Sequence, residues 1–514
     1  MTGGNGPAWR SPNVLVIGVG PHARRNHLPV LLDEQRAGRL GTIIGVDLVD
    51  TQEINDEYVR STGSSAFSMV YLKKSDTGRA TLPPSAERLL DGFVARYGIR
   101  GVVVATEPSF HLAYAKWALD RGLSVLMDKP VSARVNASLD EDQAGLLLDD
   151  YDELMRCYAE AKLRNPGVVV SMMSQRRYHP AFRTMRSLVS EVAEMTNCPI
   201  TSIQSFHSDG QWRMPAELVD IGYHSYDQGY GKASHSGYHF LDIVPWLLEA
   251  AEAPGKELDE VEVFANVVRP RDLLRQLDFD DYRKIFADFD EHNRYSASDL
   301  WRRVRHHGEV DVFVSLAFRS AGRTMTLGSV NLVHNGFSQR GSVLANRLDL
   351  YKGNGRVRHE SHVIEQGPFQ AIYFQSYQAR DGVAGADPAG VGGDRHVDVH
   401  VFRNRALFPA WESHQHLRLE DMDGGLSSVR GHQENARRHS MEEFLSHLRG
   451  DGLPVTSDLV EHRRGCVLMA GAYLSAARRR RSGDPVVCLD FRRDREIQPA
   501  RGGVACPLPE RVEG

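Results

Sequence analysis

The sequence predicts an α/β protein in which a doubly wound parallel sheet is followed by a second domain rich in strands. Two observations carry this prediction. Over the first 175 residues, short apolar runs alternate with stretches whose apolar residues recur at helical spacing, which is typical of βαβ units. In the second half, several segments alternate apolar and polar residues with a period of two, which is typical of half-buried strands. The 514 residues are enough for two domains, each with its own core.

The elements of the N-terminal region can be placed in order along the chain. Each apolar run is short and continuous, as expected for parallel strands that are buried on both faces. The predicted strands are Asn13–Gly18, Thr42–Asp47, Ala66–Leu72, Gly101–Ala105, Ser124–Met127 and Val168–Met172. The helices between them are predicted within residues 21–40, Pro83–Tyr97, Phe110–Arg121 and Tyr151–Leu163.

A glycine turn follows the first predicted strand. Gly18, Gly20 and Ala23 fit the pattern G-x-G-x-x-G/A between a strand and a helix. The first glycine permits a tight turn, the second lets the backbone approach a pyrophosphate, and the small third residue lets helix and strand pack closely. Asp47 ends the next strand, where its carboxylate could bind the ribose of a dinucleotide or simply cap the strand. Because Asp47 and Asp50 would repel a 2′-phosphate, the pattern predicts NAD rather than NADP.

Composition and charge argue against several classes of protein. The formal net charge of −5 argues against nucleic acid as a partner, since proteins that bind it carry a basic excess or patch. No apolar run approaches the ~18 residues of a membrane span, and the first dozen residues lack the apolar region of a secretory signal. The five cysteines are scattered and form no CxxC pair, so neither a disulfide framework nor a zinc ribbon is expected. These features favour a cytoplasmic protein with no membrane partner.

Five short motifs occur in an order that resembles the Gfo/Idh/MocA oxidoreductase family. They are the glycine turn with His27 and Leu28, the loop Thr106–His111, the tripeptide Asp128–Pro130, the segment Arg176–Phe182 and the segment Gly237–Asp242. Residues Ser440–Leu489 resemble the closing helices and terminal strand of the same family. The resemblance is specific over 12–250 and 432–490, and between these ranges it depends on the order and pattern of the strands.

The resemblance implies two domains. Residues 12–175 would form a Rossmann-type NAD-binding domain, and residues 176–490 an α+β domain with a large, mostly antiparallel open sheet. The strands of that sheet are expected at Val261–Val268, Glu309–Arg319, Thr324–Val333, Ser342–Leu350 and Arg356–Val363. The closing helices in 432–490 would pack back near the first domain. The exposed face of the sheet would form the contact of a homodimer or homotetramer.

Four ranges lie outside this minimal plan. Residues 269–307 are charged with apolar residues at helical spacing, and a helical insertion is expected there. Residues 379–430 are rich in Gly, Asp and His, and a long loop is expected. Flexible tails are expected at 1–11 and 491–514.

The resemblance also assigns a cofactor site and two catalytic candidates. It implies that NAD is bound by Gly18, Gly20, Ala23, Asp47, Thr106, Pro108, His111, Asp128 and Lys129. Lys129 is the first candidate for the catalytic acid and base, since Pro130 fixes its backbone at the carboxyl end of a strand. Burial beside the cationic nicotinamide would lower the pKa of this lysine toward the working range. His239 is the second candidate, because an imidazole titrates near neutrality and suits proton exchange with a hydroxyl.

Substrate-binding residues are expected around His239 and at the start of the second domain. The candidates are Arg177, His224, His235 and Asp242, with His179, His207 and Tyr223 as further polar side chains. Relatives often carry an aspartate at the position of His235. If the proton pathway needs a carboxylate, Asp227 or Glu217 could substitute for it. No metal site is predicted, since His235, His239 and Asp242 share a helix face but lack a fourth ligand.

These features predict an oxidoreductase that transfers a hydride between NAD and a secondary alcohol or ketone of a sugar, inositol or related polyol. Two alternatives remain open. An enzyme of the same fold could use bound NAD for redox-assisted hydrolysis or transhydrogenation, and a non-catalytic sensor could bind a dinucleotide and a partner. The presence of Lys129 and His239 argues against the sensor, whereas His235 keeps that interpretation open.

Overall fold

The computed structural model describes residues 11–222, 224–344, 355–379, 387–422, 431–451 and 454–493. Two sheets organise these residues. A six-stranded parallel sheet comes first in the chain, and a nine-stranded, mostly antiparallel sheet follows it. The predicted fold class, a Rossmann-type doubly wound sheet followed by an α+β domain with a large open sheet, is confirmed.

The first sheet has the strand order β3-β2-β1-β4-β5-β6, and all its pairs are parallel. Its strands are β1 (Asn13–Ile17), β2 (Ile43–Leu48), β3 (Phe67–Leu72), β4 (Ile99–Val104), β5 (Ser124–Met127) and β6 (Val170–Met172). In register, Leu15 lies between Ile44 and Val102, and all three side chains are fully buried. Because the strand order reverses between β1 and β4, a crevice opens at their carboxyl ends, where ligands bind in open α/β sheets.

Six helices connect these strands. They are α1 (Pro21–Asn26), α2 (Leu28–Arg36), α3 (Gln52–Thr62), α4 (Pro84–Tyr97), α5 (His111–Asp120) and α6 (Glu141–Arg164). The helix predicted after the glycine turn is divided at His27, because Pro29 opens a new helix and has no backbone N–H to continue the first. The α6 helix begins earlier than predicted, since the Asp140 side chain accepts the backbone N–H of Asp142 and caps it there.

The second sheet has the strand order β14-β13-β12-β11-β7-β10-β9-β8-β15. Its strands are β7 (Ser202–Ser208), β8 (Glu260–Val268), β9 (Asp311–Ser320), β10 (Arg323–Val333), β11 (Val357–Gln366), β12 (Gln370–Ala379), β13 (Asp398–Arg403), β14 (His414–Arg418) and β15 (Val487–Asp490). The pair β7 and β10 is parallel, and every other neighbouring pair is antiparallel. At the end of β7, Ser208 lies between Val333 and His359.

Ten further helices lie among the described residues. They are α7 (Pro180–Thr196), α8 (Glu217–Asp220), α9 (Tyr238–Leu248), α10 (Pro270–Gln276), α11 (Phe279–Ile285), α12 (Phe289–His292), α13 (Ala297–Arg303), α14 (Leu419–Met422), α15 (His432–Arg449) and α16 (Arg463–Arg480). Residues 269–307 thus contain α10 to α13. A single π-helical turn, Ala233–Gly237, leads into α9. The helices α9 and α16 cover one face of the second sheet, where Phe240, Leu316 and Leu468 belong to one apolar core.

The segment 379–430 differs from the long loop predicted for it. It contains β13, β14 and α14, and the two strands extend the second sheet at one edge. Val399 and Val401 alternate with more polar residues and are fully buried, but the surrounding Gly, Asp and His residues obscure this short pattern. The strand predicted at Ser342–Leu350 is wrong for residues 342–344, which form no strand, and its remainder lies outside the described residues.

The closing helices lie close to both sheets. Met441 and Phe444 of α15 join Val14 and Val103 of the first sheet in one apolar cluster. The α16 helix contacts α6, α9 and β8. Within the described ranges, no helix combines the length and the apolar character needed to cross a bilayer. The tails predicted at 1–11 and 491–514 fall almost entirely outside those ranges.

Candidate active site

The glycine turn packs tightly against the loop after β4. Gly18 has a φ of +92°, and a Cβ at this position would lie 2.5 Å from the carbonyl oxygen of Ala105. Glycine is therefore required there. Gly20 faces open space instead, with no atom within 4 Å of an added Cβ. Ala23 is fully buried in α1 behind the turn.

A groove of about 520 Å³ lies at the carboxyl ends of the first sheet. Of the residues predicted to bind the cofactor, Gly18, Gly20, Asp47, Thr106, Pro108, Asp128 and Lys129 line it. Ala23 and His111, which were also predicted to bind the cofactor, are not among the residues that line the groove. The buried His111 ring bridges two loops, with Nδ1 2.8 Å from the carbonyl oxygen of Pro130 and Nε2 3.0 Å from that of Thr106. His111 therefore shapes the groove from behind.

Asp47 holds the glycine turn from the end of β2. Its carboxylate accepts the backbone N–H of Val19 at 2.9 Å, that of Leu48 at 2.7 Å and the side-chain amide of Asn55 at 3.3 Å. The same side chain lines the groove. The open space over Gly20, into which a Cβ would project, and the carboxylate at the end of β2 fit a bound dinucleotide.

Asp128 lies at the carboxyl end of β5 in a cluster with two histidines. Its carboxylate is 3.1 Å from Nε2 of His27 and 3.6 Å from Nε2 of His22. Burial raises the pKa of Asp128 and the two imidazoles lower it, and the net shift is well below the usual range. Within the part of the chain that the structure describes, these three side chains bring their ligand atoms close enough together to hold a metal ion.

Lys129 follows directly, and its ammonium donates a hydrogen bond to the backbone carbonyl of His235. Burial lowers the pKa of Lys129 to about 8, with Asp128 opposing the shift and Arg437 and Arg176 adding to it. A lysine in this range can both accept and donate a proton near neutral pH, which an ordinary lysine with a pKa of about 10.4 does poorly.

A smaller cavity of about 120 Å³ adjoins the groove, and the two share His22, Lys129, His224 and His235 among their lining residues. The other walls of this cavity come from β7, β11, α9 and α15. A ligand in the groove and a ligand in the cavity would therefore meet at Lys129.

The histidines beside Lys129 are neutral at physiological pH. The rings of His224 and His235 stack with their centroids 4.5 Å apart. Burial, together with the charge of Lys129, lowers the pKa of His235 to about 3 and holds the pKa of His239 well below its usual range. Both ring nitrogens of His235 and Nδ1 of His239 are buried with no hydrogen-bond partner among the described residues. Each ring can therefore offer one donor and one acceptor to a ligand.

Arg177 and Asp242, which were predicted to bind substrate, pair with each other and are not among the residues that line the cavity. Arg177 donates through Nε and Nη2 to the two oxygens of Asp242, at 3.0 and 2.6 Å. Their side chains are 1% and 0% exposed, and Nδ1 of His462 lies 2.9 Å from the same carboxylate. A carboxylate so deeply buried requires such partners, so Asp242 faces Arg177 rather than a ligand. The neighbouring Arg176 lines the cavity instead.

The carboxylates considered as replacements for the missing aspartate lie elsewhere. Glu217 forms a bidentate ion pair with Arg340 at 2.8 Å, and Asp227 is exposed at the surface. Asp209, which follows β7, lines the cavity in their place and accepts a hydrogen bond from Lys232 at 2.5 Å. Of the further polar candidates, His207 lines the cavity, His179 is bonded to His432, and Tyr223 lies outside the described residues.

Known proteins share both the sequence signature and the fold. Residues 12–141 match the family model described as an oxidoreductase family with an NAD-binding Rossmann fold. Over this stretch the sequence is similar to the Gfo/Idh/MocA family. The predicted resemblance and the predicted NAD cofactor are thereby confirmed, and the match supports the predicted NAD(P)-dependent dehydrogenase or reductase. No curated protein matches the sequence.

Solved structures extend the likeness over nearly the whole chain. A levoglucosan dehydrogenase in complex with NADH and levoglucosan has a TM-score of 0.55 at 12% identity, covering 93% of this chain and 99% of that one. An oxidoreductase domain protein from Kribbella flavida has a TM-score of 0.56 at 11% identity, covering 94% and 99%. The WlbA dehydrogenase from Bordetella pertussis, in complex with NADH and UDP-GlcNAcA, has a TM-score of 0.52 at 14% identity, covering 94% and 98%. At these identities the likeness shows a shared fold.

Several residues that line the cavity lie outside the predicted set. His22 occupies one of the x positions of the G-x-G-x-x-G/A pattern and lines both the groove and the cavity. Its place within that pattern is the sequence feature that could have identified it. Arg176 precedes Arg177 in the turn Gln175–Tyr178, where consecutive side chains point in different directions, so sequence alone could not choose between them. Arg358 lies in the mostly polar strand β11, where no motif distinguishes it.

Proposed function

We propose that the protein is an NAD-dependent dehydrogenase or reductase that acts on a secondary alcohol or ketone of a small polyhydroxylated molecule. The observation that carries this proposal is that Lys129 borders both the groove and the adjoining cavity. A dinucleotide in the groove and a substrate in the cavity would share one ionisable side chain, as a coupled hydride and proton transfer requires.

NAD, when bound, supplies the hydride acceptor or donor. The residues of the chain must then move one proton on or off the substrate oxygen. In oxidation, the neutral amine of Lys129 accepts the proton of the hydroxyl. In reduction, its ammonium gives that proton to the carbonyl oxygen. The backbone carbonyl of His235, which accepts a hydrogen bond from the ammonium, positions it between the two spaces.

His239 and His235 are proposed to orient the substrate. Their buried ring nitrogens lack partners among the described residues, and buried polar atoms in proteins are rarely left unsatisfied. A polyhydroxylated ligand has both donors and acceptors to satisfy them. The two rings are neutral, so they would place the reacting hydroxyl beside Lys129 without competing for its proton.

The ligands of solved structures with the same fold support this class of substrate. They include levoglucosan, L-sorbose, L-tartaric acid and UDP-GlcNAcA, each in a complex that also contains NADH or NAD⁺. All are sugars or hydroxy acids, and each offers hydroxyl groups to an oxidoreductase.

The proposal is tested by following NADH absorbance across a panel of polyols and keto-sugars. Lys129→Ala is expected to lower kcat by roughly 10²- to 10⁴-fold, because the variant loses the proton-transfer group. NAD binding is expected to remain, because Gly18, Gly20, Asp47 and the other groove residues are unchanged. Lys284→Ala, which changes an exposed lysine of α11, is the matched control and should keep wild-type activity. Wild-type turnover by Lys129→Ala would contradict the mechanism. Tight NAD binding without turnover of any compound would favour a sensor or a redox-assisted reaction.

A further inference from the structure

Cationic side chains dominate the cavity beside Lys129. Among the described residues that line it, Lys129 and five arginines carry positive charge, and Asp209 is the one carboxylate. The arginines are Arg176, Arg213, Arg356, Arg358 and Arg437. Such an excess around a space of about 120 Å³ creates a positive potential that attracts anions.

The nearby carboxylates neutralise only part of this excess. Asp209 is bound by Lys232 at 2.5 Å and by Arg356 at closer range. Lys232 is fully buried and does not line the cavity, so Asp209 neutralises part of the charge of a cation that a ligand cannot contact. Glu360, buried behind the cavity, forms a bidentate pair with Arg176 at 2.8 and 2.7 Å. Both carboxylates are therefore already committed to protein cations.

Arg358 has no carboxylate partner among the described residues. Its hydrogen bonds run to neutral amide oxygens, at 3.2 Å to Gln378 and at 2.9 Å to Gln433, and no described carboxylate lies within 4.0 Å of it. Burial and the neighbouring Arg356 lower the pKa of Arg358 to about 9. A guanidinium in this environment would be stabilised by an anionic ligand, which it can bind through two parallel hydrogen bonds.

Arg176 provides a second, independent indication. Its Nη1 is buried without a hydrogen-bond partner in the described part of the chain, although Nε and Nη2 are bound to Glu360. The residue is only 4% exposed, and its guanidinium lies 3.9 Å from the ring centroid of Phe240, which holds it in place. A buried guanidinium N–H without an acceptor is costly, so a ligand oxygen in the cavity would be favoured there.

We infer that this cavity binds the anionic group of the substrate, a carboxylate or a phosphate, through Arg358 and Arg176 while Lys129 acts on a hydroxyl. The inference rests on the proposed function and narrows its substrate from polyols in general to polyols that carry negative charge. A third space, of about 510 Å³, is bordered by α1, α2 and α15 and shares Arg356 and Arg358 with the cavity of about 120 Å³. Substituents beyond the anionic group have room to extend there.

Three related ligands test the inference: D-sorbitol is neutral, D-gluconate carries a carboxylate, and D-sorbitol 6-phosphate carries a phosphate. Titration calorimetry on the NADH-saturated protein measures each affinity without oxidation of the alcohol. We expect at least one anion to bind roughly tenfold or more tightly than sorbitol, because charge-assisted hydrogen bonds are the stronger ones. The tighter anion identifies the group that the arginines hold. If neither anion binds more tightly than sorbitol, the inference is overturned.

Arg358→Gln is expected to lower the affinity for that anion roughly tenfold and to leave the affinity for sorbitol unchanged. Arg358→Lys, which keeps the charge but loses the bidentate geometry, should lose less. Arg305→Gln, which changes an exposed arginine outside the cavity, is the control. An equal loss for sorbitol and for the anion would assign Arg358 a structural role and overturn the inference. If Arg358→Gln does not fold, Arg437→Gln is measured in its place, with the same selective loss expected.

A failure of the proposed function would look different. In that case no compound of the panel would yield NADH from NAD, or NAD would not bind at all. The preference of the NADH-saturated protein for an anion is measured without turnover, so the two failures are distinguishable.

Discussion

The proton chemistry of Lys129 is determined by its immediate neighbours. Burial lowers its pKa to about 8, and Asp128 keeps the pKa from falling further. Because the neutral amine is the base in alcohol oxidation, kcat/KM for oxidation is expected to rise with pH through a midpoint near 8. Reduction requires the ammonium, so its rate should fall through the same midpoint. Initial rates in both directions between pH 6 and 10 measure this, and profiles without an inflection near 8 would contradict the assignment.

Removal of the Asp128 carboxylate tests the direction in which this residue shifts the pKa of Lys129. Asp128 raises the pKa of Lys129, so Asp128→Asn should move the midpoint of the oxidation profile to lower pH. Lys284→Ala, at the exposed lysine in α11, should leave the midpoint unchanged. A shift of the Asp128→Asn profile to higher pH would show that another group controls the titration.

At this same scale, the sequence predicts some of the residues that line the groove and the cavity and misses others. The position of Lys129 after a strand could be predicted, because motif and strand end coincide. The sequence could not show which of Arg176 and Arg177 faces the cavity, since this depends on which guanidinium pairs with Asp242 and which pairs with Glu360. Those carboxylates lie more than sixty positions away in the chain, and local sequence carries no information about such pairs.

Among the elements, the glycine turn has no room for a side chain at Gly18 but has open space at Gly20. Gly18→Ala would place a Cβ 2.5 Å from the carbonyl oxygen of Ala105 at a positive φ, and it should lower the free energy of unfolding by about 1–3 kcal/mol. Gly20→Ala meets no protein atom and should leave stability unchanged, but its methyl group enters the groove and should weaken NAD binding. Thermal unfolding without ligand and NAD titration separate the two effects. Equal stability of Gly18→Ala and wild type would contradict this account.

The predictability of the elements follows from their surroundings. Strands covered on both sides, such as β1 and β4, have continuous apolar sequences and could be placed to within a residue or two. Strands of the second sheet have one open face, and several were predicted from their alternation of apolar and polar residues. In β7 and β12 polar residues are so frequent that this alternation is weak, and these strands were not predicted. The π-helical turn before α9 has no sequence signal of this kind, because its geometry depends on tertiary packing around Ala233–Gly237.

In the molecule as a whole, the buried cluster of Arg177, Asp242 and His462 joins three segments that are distant in sequence. It connects the turn Gln175–Tyr178, α9 and the segment before α16 through Arg177 and His462. Asp242→Asn would leave the Arg177 charge buried without its partner, and breaking such pairs typically costs about 3–5 kcal/mol. Urea denaturation should show this loss while KM of the folded fraction stays near the wild-type value. Unchanged stability with a raised KM would instead restore Asp242 as a substrate-binding residue.

The open face of the second sheet remains the predicted contact between subunits. Phe313, Leu327, Tyr373 and Phe402 are 39–61% exposed on strands whose alternate residues are buried in the core. Leu327→Asp is expected to shift a homodimer or homotetramer toward the monomer in light scattering after gel filtration, because a charge would be buried at the contact. Leu163→Asp, at an 86% exposed position of α6, is the control. A wild-type protein that is monomeric at all concentrations would contradict the prediction.

The packing of α15 on the first sheet also determines when that sheet can be completed during synthesis. Val14 and Val103 are made early, but the Met441 and Phe444 side chains that cover them emerge more than 300 residues later. At ~5–20 residues per second, a ribosome needs roughly 15–60 s to translate such an interval. Throughout that time an apolar surface of the nascent N-terminal domain stays uncovered. The chain is therefore expected to depend on chaperones while it is translated, and a fragment that ends before α15 should aggregate rather than fold.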